Sequence, residues 1–232
     1  MTTVPATGQT QHPRRTTRTR FALALAAVLA LLTVTTATAQ GDRPTELVVA
    51  VTAIGNTLDT TVANFTNTTI AMNHVYDRII MFDENFEFVP ALAESWEFVD
   101  ATTFKFTIGE GYVFHNGAAL TPQDVVFSIE RLRDIPRVTG IMSNIAAVEV
   151  TGEREVTITL VEPNSSTIRE LVADVPVMNE AYATTPGVDY ANEPIGTGPF
   201  VVSNYVPGDR LELTRWADCS RSYSRPSMRP KL

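Results

Sequence analysis

The stretch from Leu92 to Leu132, LAESWEFVDATTFKFTIGEGYVFHNGAALTPQDVVFSIERL, constrains this chain more than any other, because it specifies strand, turn and helix in one continuous run. Glu94 to Phe98 and Thr103 to Ile108 read as short strands. In the second, Phe104 and Phe106 fall on one face and Thr103, Lys105 and Thr107 on the other, the period of two expected of a half-buried strand. An aromatic turn region, Tyr112 to Gly117, hands over to a helix whose start is the best-specified local event in the sequence. Thr121 is the predicted N-cap, and Pro122 takes the first helical position, where its missing N–H is no loss. Asp124 stands three residues after the cap, placed to reach back as the acidic member of a capping box, although Glu or Gln more often fills that role. Val125, Val126, Ile129 and Leu132 then form an apolar stripe at helical spacing, widened by Phe127, and Pro136 stops the helix beyond Asp134.

The first 39 residues are set apart from the fold. Arg14, Arg15, Arg18 and Arg20 precede an uninterrupted apolar run from Phe21 to Leu32, and Ala37-Thr38-Ala39 supplies small residues at a cleavage site, so the pattern predicts an export signal with the mature chain starting at Gln40. That apolar run is too short for an ordinary bilayer-spanning helix, and no later segment is longer. The general secretory route is favoured over the twin-arginine route, because Thr16 and Thr17 follow the arginine pair where an apolar pair belongs. Loss of four arginines and no acid moves the formal net charge from −8 to −12. Such an acidic chain, with its acids scattered, has no electrostatic footprint for nucleic acid and reads as having a solubilising surface. The single cysteine, Cys219, excludes an intramolecular disulfide and a cysteine-rich zinc site.

Glu46 to Ala53 is nearly all apolar and reads as an interior strand of an α/β sheet, broken by Gly55, Asn56 and Thr57. Thr61 to Ile80 reads as one helix with Val62, Phe65, Met72, Tyr76 and Ile79 among its buried contacts, although Thr66 to Thr69 weakens it. His74 within it reads as a packed residue rather than a ligand. Asn64 and Asn67 lie in glycosylation sequons that matter only in a eukaryotic secretory pathway. Phe82 to Val89 is a turn and short strand, with Phe86 and Phe88 alternating with Glu87 in a half-buried pattern. Ile145 to Val150 and Glu155 to Val161 form a predicted hairpin, and Asn164 and its neighbours cap a helix over Thr167 to Val172. Pro176, Pro186, Gly187 and Pro194 punctuate a largely irregular passage. Gly196-Thr197-Gly198-Pro199 then makes a tight turn before the strand Phe200 to Tyr205, whose hairpin partner is Arg210 to Arg215. The tail from Cys219 to Leu232 is rich in serine, proline and basic residues and makes a poor structural segment.

Several of these pieces together carry a resemblance. Leu92-Ala93-Glu94-Ser95-Trp96, Val113-Phe114-His115-Asn116-Gly117 and Leu120 to Leu132, with Val75-Tyr76-Asp77 upstream and Gly196 to Phe200 downstream, resemble the family 5 extracellular solute-binding proteins. These are the dipeptide, oligopeptide and nickel type that serve ABC importers, and the resemblance covers roughly residues 46 to 216. It implies a mixed α/β (α+β) fold of the periplasmic binding protein-like type II class, present as an incomplete first lobe with an inserted smaller β-rich domain. The expected organisation is a signal peptide over 1–39, the start of lobe I over 40–78, the inserted domain over 79–192, a return to lobe I over 193–218, and an aberrant or disordered tail over 219–232. The resemblance places Asn56, Thr57 and Leu58 at the edge of the ligand cleft. It makes Trp96, His115, Gly117, Thr121, Pro122, Asp124, Gly196, Thr197, Gly198 and Pro199 structural motif residues. Lipid attachment in similar proteins uses a cysteine at the cleavage point, where this chain has Ala39 and Gln40, so the expected product is periplasmic, soluble and not lipid-anchored. The family pattern continues with a Tyr-Trp pair and a further lobe where this sequence turns into its basic tail, so a truncated or frame-shifted form is expected, with a genuine short protein carrying a disordered basic tail as the alternative.

Catalytic patterns are missing from the sequence. Ser95 and Ser128 lie in no nucleophile elbow, His74 and His115 form no zinc-protease motif, and Glu94 and Glu97 face opposite sides of a strand. Some similar proteins carry nickel complexes, but a single His115 in a turn is a weak metal ligand, and a packing or turn role is expected instead. The expectation is therefore a non-enzyme without cofactor or metal that binds a peptide or similar small solute and docks on an ABC transporter permease. The alternative is a secreted structural or interaction module derived from a binding protein, without transport activity.

Overall fold

A computed structural model of the chain describes residues 46–62, 65–217 and 219. The expected export signal, Asn64 and the tail beyond Cys219 lie outside them. The chain divides into two units between Ala50 and Val51. In the first unit the described residues 46–50 are exposed and form no strand, and in the second residues 51–53 are exposed and irregular as well. The strand expected over Glu46 to Ala53 is therefore not formed among the described residues. An all-apolar strand is stable only with sheet neighbours on its edges and cover on both faces, and none of the described sheets contains it.

The rest of the second unit begins with a short helix, α1 (Thr66–Met72), where one helix from Thr61 to Ile80 was expected. Val62 and Phe65, expected in the core, are 58% and 41% exposed, and His74, expected to be packed, is exposed and meets Phe200 edge-on at 5.9 Å. The chain turns after Asn73 because Val75, Tyr76 and Ile79 must enter different surroundings, which a single helical face cannot supply. Next come β1 (Ile80–Phe82), β2 (Phe88–Pro90), β3 (Ala93–Phe98) and β4 (Thr103–Ile108), then α2 (Pro122–Glu130). A short α3 (Thr139–Met142) precedes β5 (Ile145–Val150) and β6 (Glu155–Leu160), followed by α4 (Ser165–Asp174) and α5 (Glu180–Ala183). The last elements are β7 (Phe200–Val206) and β8 (Arg210–Arg215). Helix α2 ends at Glu130 and tightens into a 3₁₀ turn, Arg131–Asp134, before the expected stop at Pro136. The passage expected to be irregular contains α5, capped by Asn179.

The central sheet is antiparallel in the order β3-β4-β6-β5, so the two hairpins pair through β4 and β6. Phe104, Phe106 and Ile108 point into the core, while the Thr103, Lys105 and Thr107 face is partly exposed, as the alternation predicts. β1 and β2 form a separate hairpin whose Phe88 stacks on Phe82 at 5.2 Å and meets Trp96 edge-on at 5.9 Å. Its turn differs from the expected alternating strand: Phe86 has φ 61° and is 72% exposed. Asp83 accepts the N–H groups of Asn85 and Glu87 there, so the backbone folds back before the strand pattern resumes.

Two hydrophobic cores result among the described residues. The first gathers buried side chains between Ile79 and Val177 from the sheet, α2 and α4. The second consists of Leu58, Met72, Val75, Tyr76, Met178 and Tyr190, against which Phe127, Val202, Tyr205, Leu211 and Leu213 are partly buried. Helix α2 serves both, with Val125 and Ile129 in the first and Phe127 on the second.

Candidate functional site

The chain passes from the second core into the first after Tyr76 and returns at Met178, and the residues around this crossing are held by a dense set of polar contacts. Gly196 and Gly198 lie directly on the backbone of His74 and Val75. A Cβ on Gly196 would stand 2.1 Å from the Val75 carbonyl oxygen, and one on Gly198 2.6 Å from that of His74. Only glycine permits this approach. The closeness allows Gly198 N–H to donate to the Val75 carbonyl at 2.9 Å and Phe200 N–H to that of His74 at 3.1 Å. Between the glycines, Thr197 Oγ1 donates to Asp77 Oδ2 at 2.8 Å.

His115 closes the crossing from the other side. Its N–H donates to the Gly196 carbonyl at 2.9 Å, and Gly196 N–H donates back to His115 Nδ1 at 3.2 Å. Its Nε2 lies 2.9 Å from the Gly198 carbonyl oxygen. An N–H donor at Nδ1 and a carbonyl acceptor at Nε2 assign the neutral tautomer with the proton on Nε2. Burial pushes the His115 imidazole below its usual value, against the bond to Gly198 and the charge of Asp77, which favour protonation. Gly117, at φ 81°, allows the turn that presents His115, with Gly117 N–H bonded to the Phe114 carbonyl at 2.8 Å. Trp216, next to β8, meets the imidazole edge-on at 4.9 Å.

The start of α2 supports the same region. Thr121 Oγ1 accepts from Asp124 N–H at 3.3 Å, and Asp124 Oδ2 accepts from Thr121 N–H at 2.9 Å, with Pro122 at the first helical position. The other oxygen, Asp124 Oδ1, accepts from Glu180 N–H at 2.9 Å and Asn179 Nδ2 at 3.2 Å, so one carboxylate ties two helix starts together.

Asn56, Thr57 and Leu58 run beside the returning chain. Leu58 is fully buried and its N–H donates to the Ala191 carbonyl at 2.7 Å, Thr57 is half-buried, and Asn56 is exposed. The next residues form a polar cluster that sequence reasoning missed. Asp59, 4% exposed, accepts from Thr61 Oγ1 at 2.6 Å and pairs with the Arg131 guanidinium. Burial pushes the Asp59 carboxyl up, but the bonds from Arg131 and Thr61 outweigh it and hold the group below its ordinary value. Tyr76 and Tyr190 share a 2.5 Å hydrogen bond between their buried hydroxyls, and burial raises both phenols. A cleft of about 980 Å³ opens beside the crossing, with His74, Asp77, Arg78, Arg169 and Phe200 in its walls. A second, of about 590 Å³, is lined by His115, Tyr182, Asn192, Glu193 and Tyr205. Asn56, Thr57 and Leu58 line neither cleft, and Trp96 sits apart in the first core's aromatic group.

The sequence pattern of the bacterial extracellular solute-binding proteins, family 5, matches residues 87–225 and so spans the β-rich core, the His115 turn and the glycine turn. The chain belongs to this family. Among the similar proteins, the di/tripeptide-binding protein 3 of Pseudomonas aeruginosa is 31% identical over 166 residues, which cover 56% of this chain and 30% of that protein. A solved nickel ABC transporter protein from Bacillus halodurans superposes with a TM-score of 0.61 at 30% identity, over 72% of this chain and 34% of that one. The periplasmic binding protein DppA of Helicobacter pylori, solved with the peptide STSA, gives a TM-score of 0.65 at 24% identity, over 73% and 38% of the two chains. The chain thus spans between 30% and 38% of the length of these relatives. Family 5 membership and these superpositions give it a mixed α/β, periplasmic-binding-protein-like fold with a β-rich inserted subdomain.

Proposed function

We propose that this family 5 chain is an extracytoplasmic receptor element that captures peptides or similar small solutes for delivery to an ABC transporter permease. In this reading it carries part of the first lobe of a type II binding protein, with residues 40–78 opening the lobe, 79–192 forming the inserted domain and 193–218 returning to the lobe. The observation that carries the reading is the crossing itself. Two separately cored parts are joined by two passages of chain, pinned together where His115, Gly196 and Gly198 meet Val75, which is the arrangement expected of a first lobe that carries an inserted domain. The names of the relatives, a di/tripeptide-binding protein and a nickel transporter protein, support small solutes as the ligand class. Asn56, Thr57 and Leu58 lie outside both clefts described above and enter this reading as the cleft edge through the family resemblance, with the exposed Asn56 offering an amide to the solute while buried Leu58 anchors the segment.

Titration calorimetry of the secreted chain against a di- and tripeptide mixture tests this. Saturable binding that weakens in Asn56→Ala is expected. Absence of binding to a well-folded chain would reject the receptor reading.

A further inference from the structure

The crossing contains a titratable group whose two hydrogen bonds require one protonation state. His115 Nδ1 is the acceptor for Gly196 N–H at 3.2 Å, and Nε2 faces the Gly198 carbonyl at 2.9 Å. In the imidazolium both nitrogens carry a proton, so Nδ1 would direct an N–H at the N–H of Gly196 while Nε2 kept its bond. The glycine turn cannot adjust freely, because Gly196 and Gly198 are already in van der Waals contact with the Val75 backbone. We propose that His115 is a proton-operated latch: neutral, it clasps the Gly196–Gly198 turn against the Val75 passage, and protonated, it loses the bond from Gly196 N–H to Nδ1, leaving the turn held by its backbone N–H to the Gly196 carbonyl and by Nε2, and so loosens the connection between the two cores.

The charged and titratable groups around it set the direction. Asp77, held by Thr197 Oγ1, attracts the imidazolium and acts against the latch, and Glu193 and Tyr182 lie farther along the cleft that His115 lines. Trp216 brings a ring and no charge. Burial works against protonation. Because the folded imidazole titrates below the unfolded one, the native state binds fewer protons than the unfolded chain through the window beginning near pH 6.5 and extending downward. Stability associated with His115 is therefore complete above about pH 6.5 and falls as the solution is acidified, until the folded group itself takes up its proton. A compartment whose pH follows the surroundings would present that change to an exported protein.

The test uses the full chain without any solute, so its result is independent of whether the receptor reading holds. Nitrogen-15 NMR of the imidazoles is expected to show His115 as the Nε2–H tautomer at pH 7.5. The protection factor of the Gly196 amide, corrected for intrinsic exchange, is expected to fall about tenfold between pH 7.5 and a pH well below the folded pKa, the size of one lost hydrogen bond. Amides in the central sheet, such as those of Phe104 and Ile158, should keep their protection over the same range. In His115→Gln, whose amide offers an acceptor and a donor without titrating, Gly196 protection should not depend on pH. An Nδ1–H tautomer at pH 7.5, or Gly196 protection unchanged across the titration of His115 in the parent chain, would overturn the proposal.

Discussion

The two cores of this chain are built from different kinds of contact. The first closes within one stretch of sequence: β3, β4, β5 and β6 pair in neighbouring hairpins, and Phe104, Phe106, Phe114, Ile129, Ile158 and Ile168 are fully buried beneath α2 and α4. The second draws on both ends of the described chain. It joins Leu58 and α1 to Met178, Tyr190 and the β7–β8 hairpin, and its contributors from that hairpin, Val202, Tyr205, Leu211 and Leu213, are only partly buried. What it lacks in apolar cover it replaces with polar fixation through the Asp59–Arg131 pair, the Tyr76–Tyr190 bond and the glycine crossing. Apolar burial is non-directional and holds a core as a body, whereas buried polar pairs hold it only while every partner is present. The first core should thus respond to loss of volume, and the second to loss of a partner or a proton.

The largest expected effect tests the apolar side of that contrast. Phe106 is 1% exposed at the centre of the β4 strand, between β3 and β6. Phe106→Ala should cost about 4 kcal/mol, since the close-packed sheet cannot collapse around so large a void. Urea unfolding followed by tryptophan fluorescence and circular dichroism measures it. A cost under about 1 kcal/mol would show that this core is loosely packed and would erase the distinction.

The polar side is tested by Arg131→Met, which leaves the buried Asp59 carboxylate without its counter-ion and should cost about 3 kcal/mol. The two proteins should also differ in the sign of their acid response. In the parent chain Asp59 is held below its ordinary value, so its contribution is present above about pH 4 and disappears as pH falls through the lowered folded value. In Arg131→Met burial dominates and raises the folded value, so the contribution is largest at low pH and is lost as pH rises. Denaturation midpoints between pH 3 and pH 6 should therefore move in opposite directions for this group, compared with Asp59→Asn backgrounds that remove it. Parallel curves would mean that Arg131 does not control Asp59. The exposed pair of Lys105 with Glu97 is a useful control, because solvent screens an ion pair at the surface and its loss should change stability little.

At the crossing between the cores, Gly196→Ala must displace the Val75 carbonyl or the turn itself, and a loss of about 2 kcal/mol is expected. The same substitution should weaken protection of the Gly198 amide, which donates to that carbonyl. Wild-type stability would show that the passages can separate without cost and that they are not pinned.

Local features of this kind were legible in the sequence to the extent that their causes are local. The alternation from Thr103 to Ile108, the hairpin of β5 and β6, and the Thr121-Pro122-Asp124 helix start depend on residues within a few positions of each other, and each forms as expected. The Glu46–Ala53 strand did not form, because its signal is a demand for neighbours that periodicity cannot supply. The sequence pattern makes Phe86 one member of an alternating strand, but the Asp83 carboxylate claims the backbone around it for a turn. Asp59 and Arg131 stand 72 positions apart, and Tyr76 and Tyr190 stand 114 apart, so no spacing rule could pair them. His115 looked like a solitary histidine in a turn, and the one signal that could have found its partners was the second glycine of Gly196-Thr197-Gly198, since paired glycines imply that some backbone comes very close.

The smallest expected effect falls on the helix that both cores share. Thr121 is exposed, and its hydroxyl accepts from Asp124 N–H at 3.3 Å, long for such a bond, so its cap is only part of what holds the start of α2. Asp124 carries the rest, through Thr121 N–H at 2.9 Å and the Glu180 and Asn179 donors that fasten α5. Thr121→Ala should therefore cost about 1 kcal/mol, the usual loss for a removed N-cap, because one N–H of the first turn loses its side-chain acceptor and Asp124 Oδ2 loses the Thr121 hydroxyl at 2.7 Å, while the other donors to Asp124 remain. Asp124→Ala should cost more, because it strips acceptors from both helix starts and leaves the Asn179 amide buried without that partner. The two variants separate the cap from the clamp. If Thr121→Ala costs less than about 0.3 kcal/mol in urea unfolding, the hydroxyl contributes nothing and Asp124 alone begins the helix. If Thr121→Ala equals Asp124→Ala, the link to α5 is not energetic, and α2 does not couple the cores through its first turn.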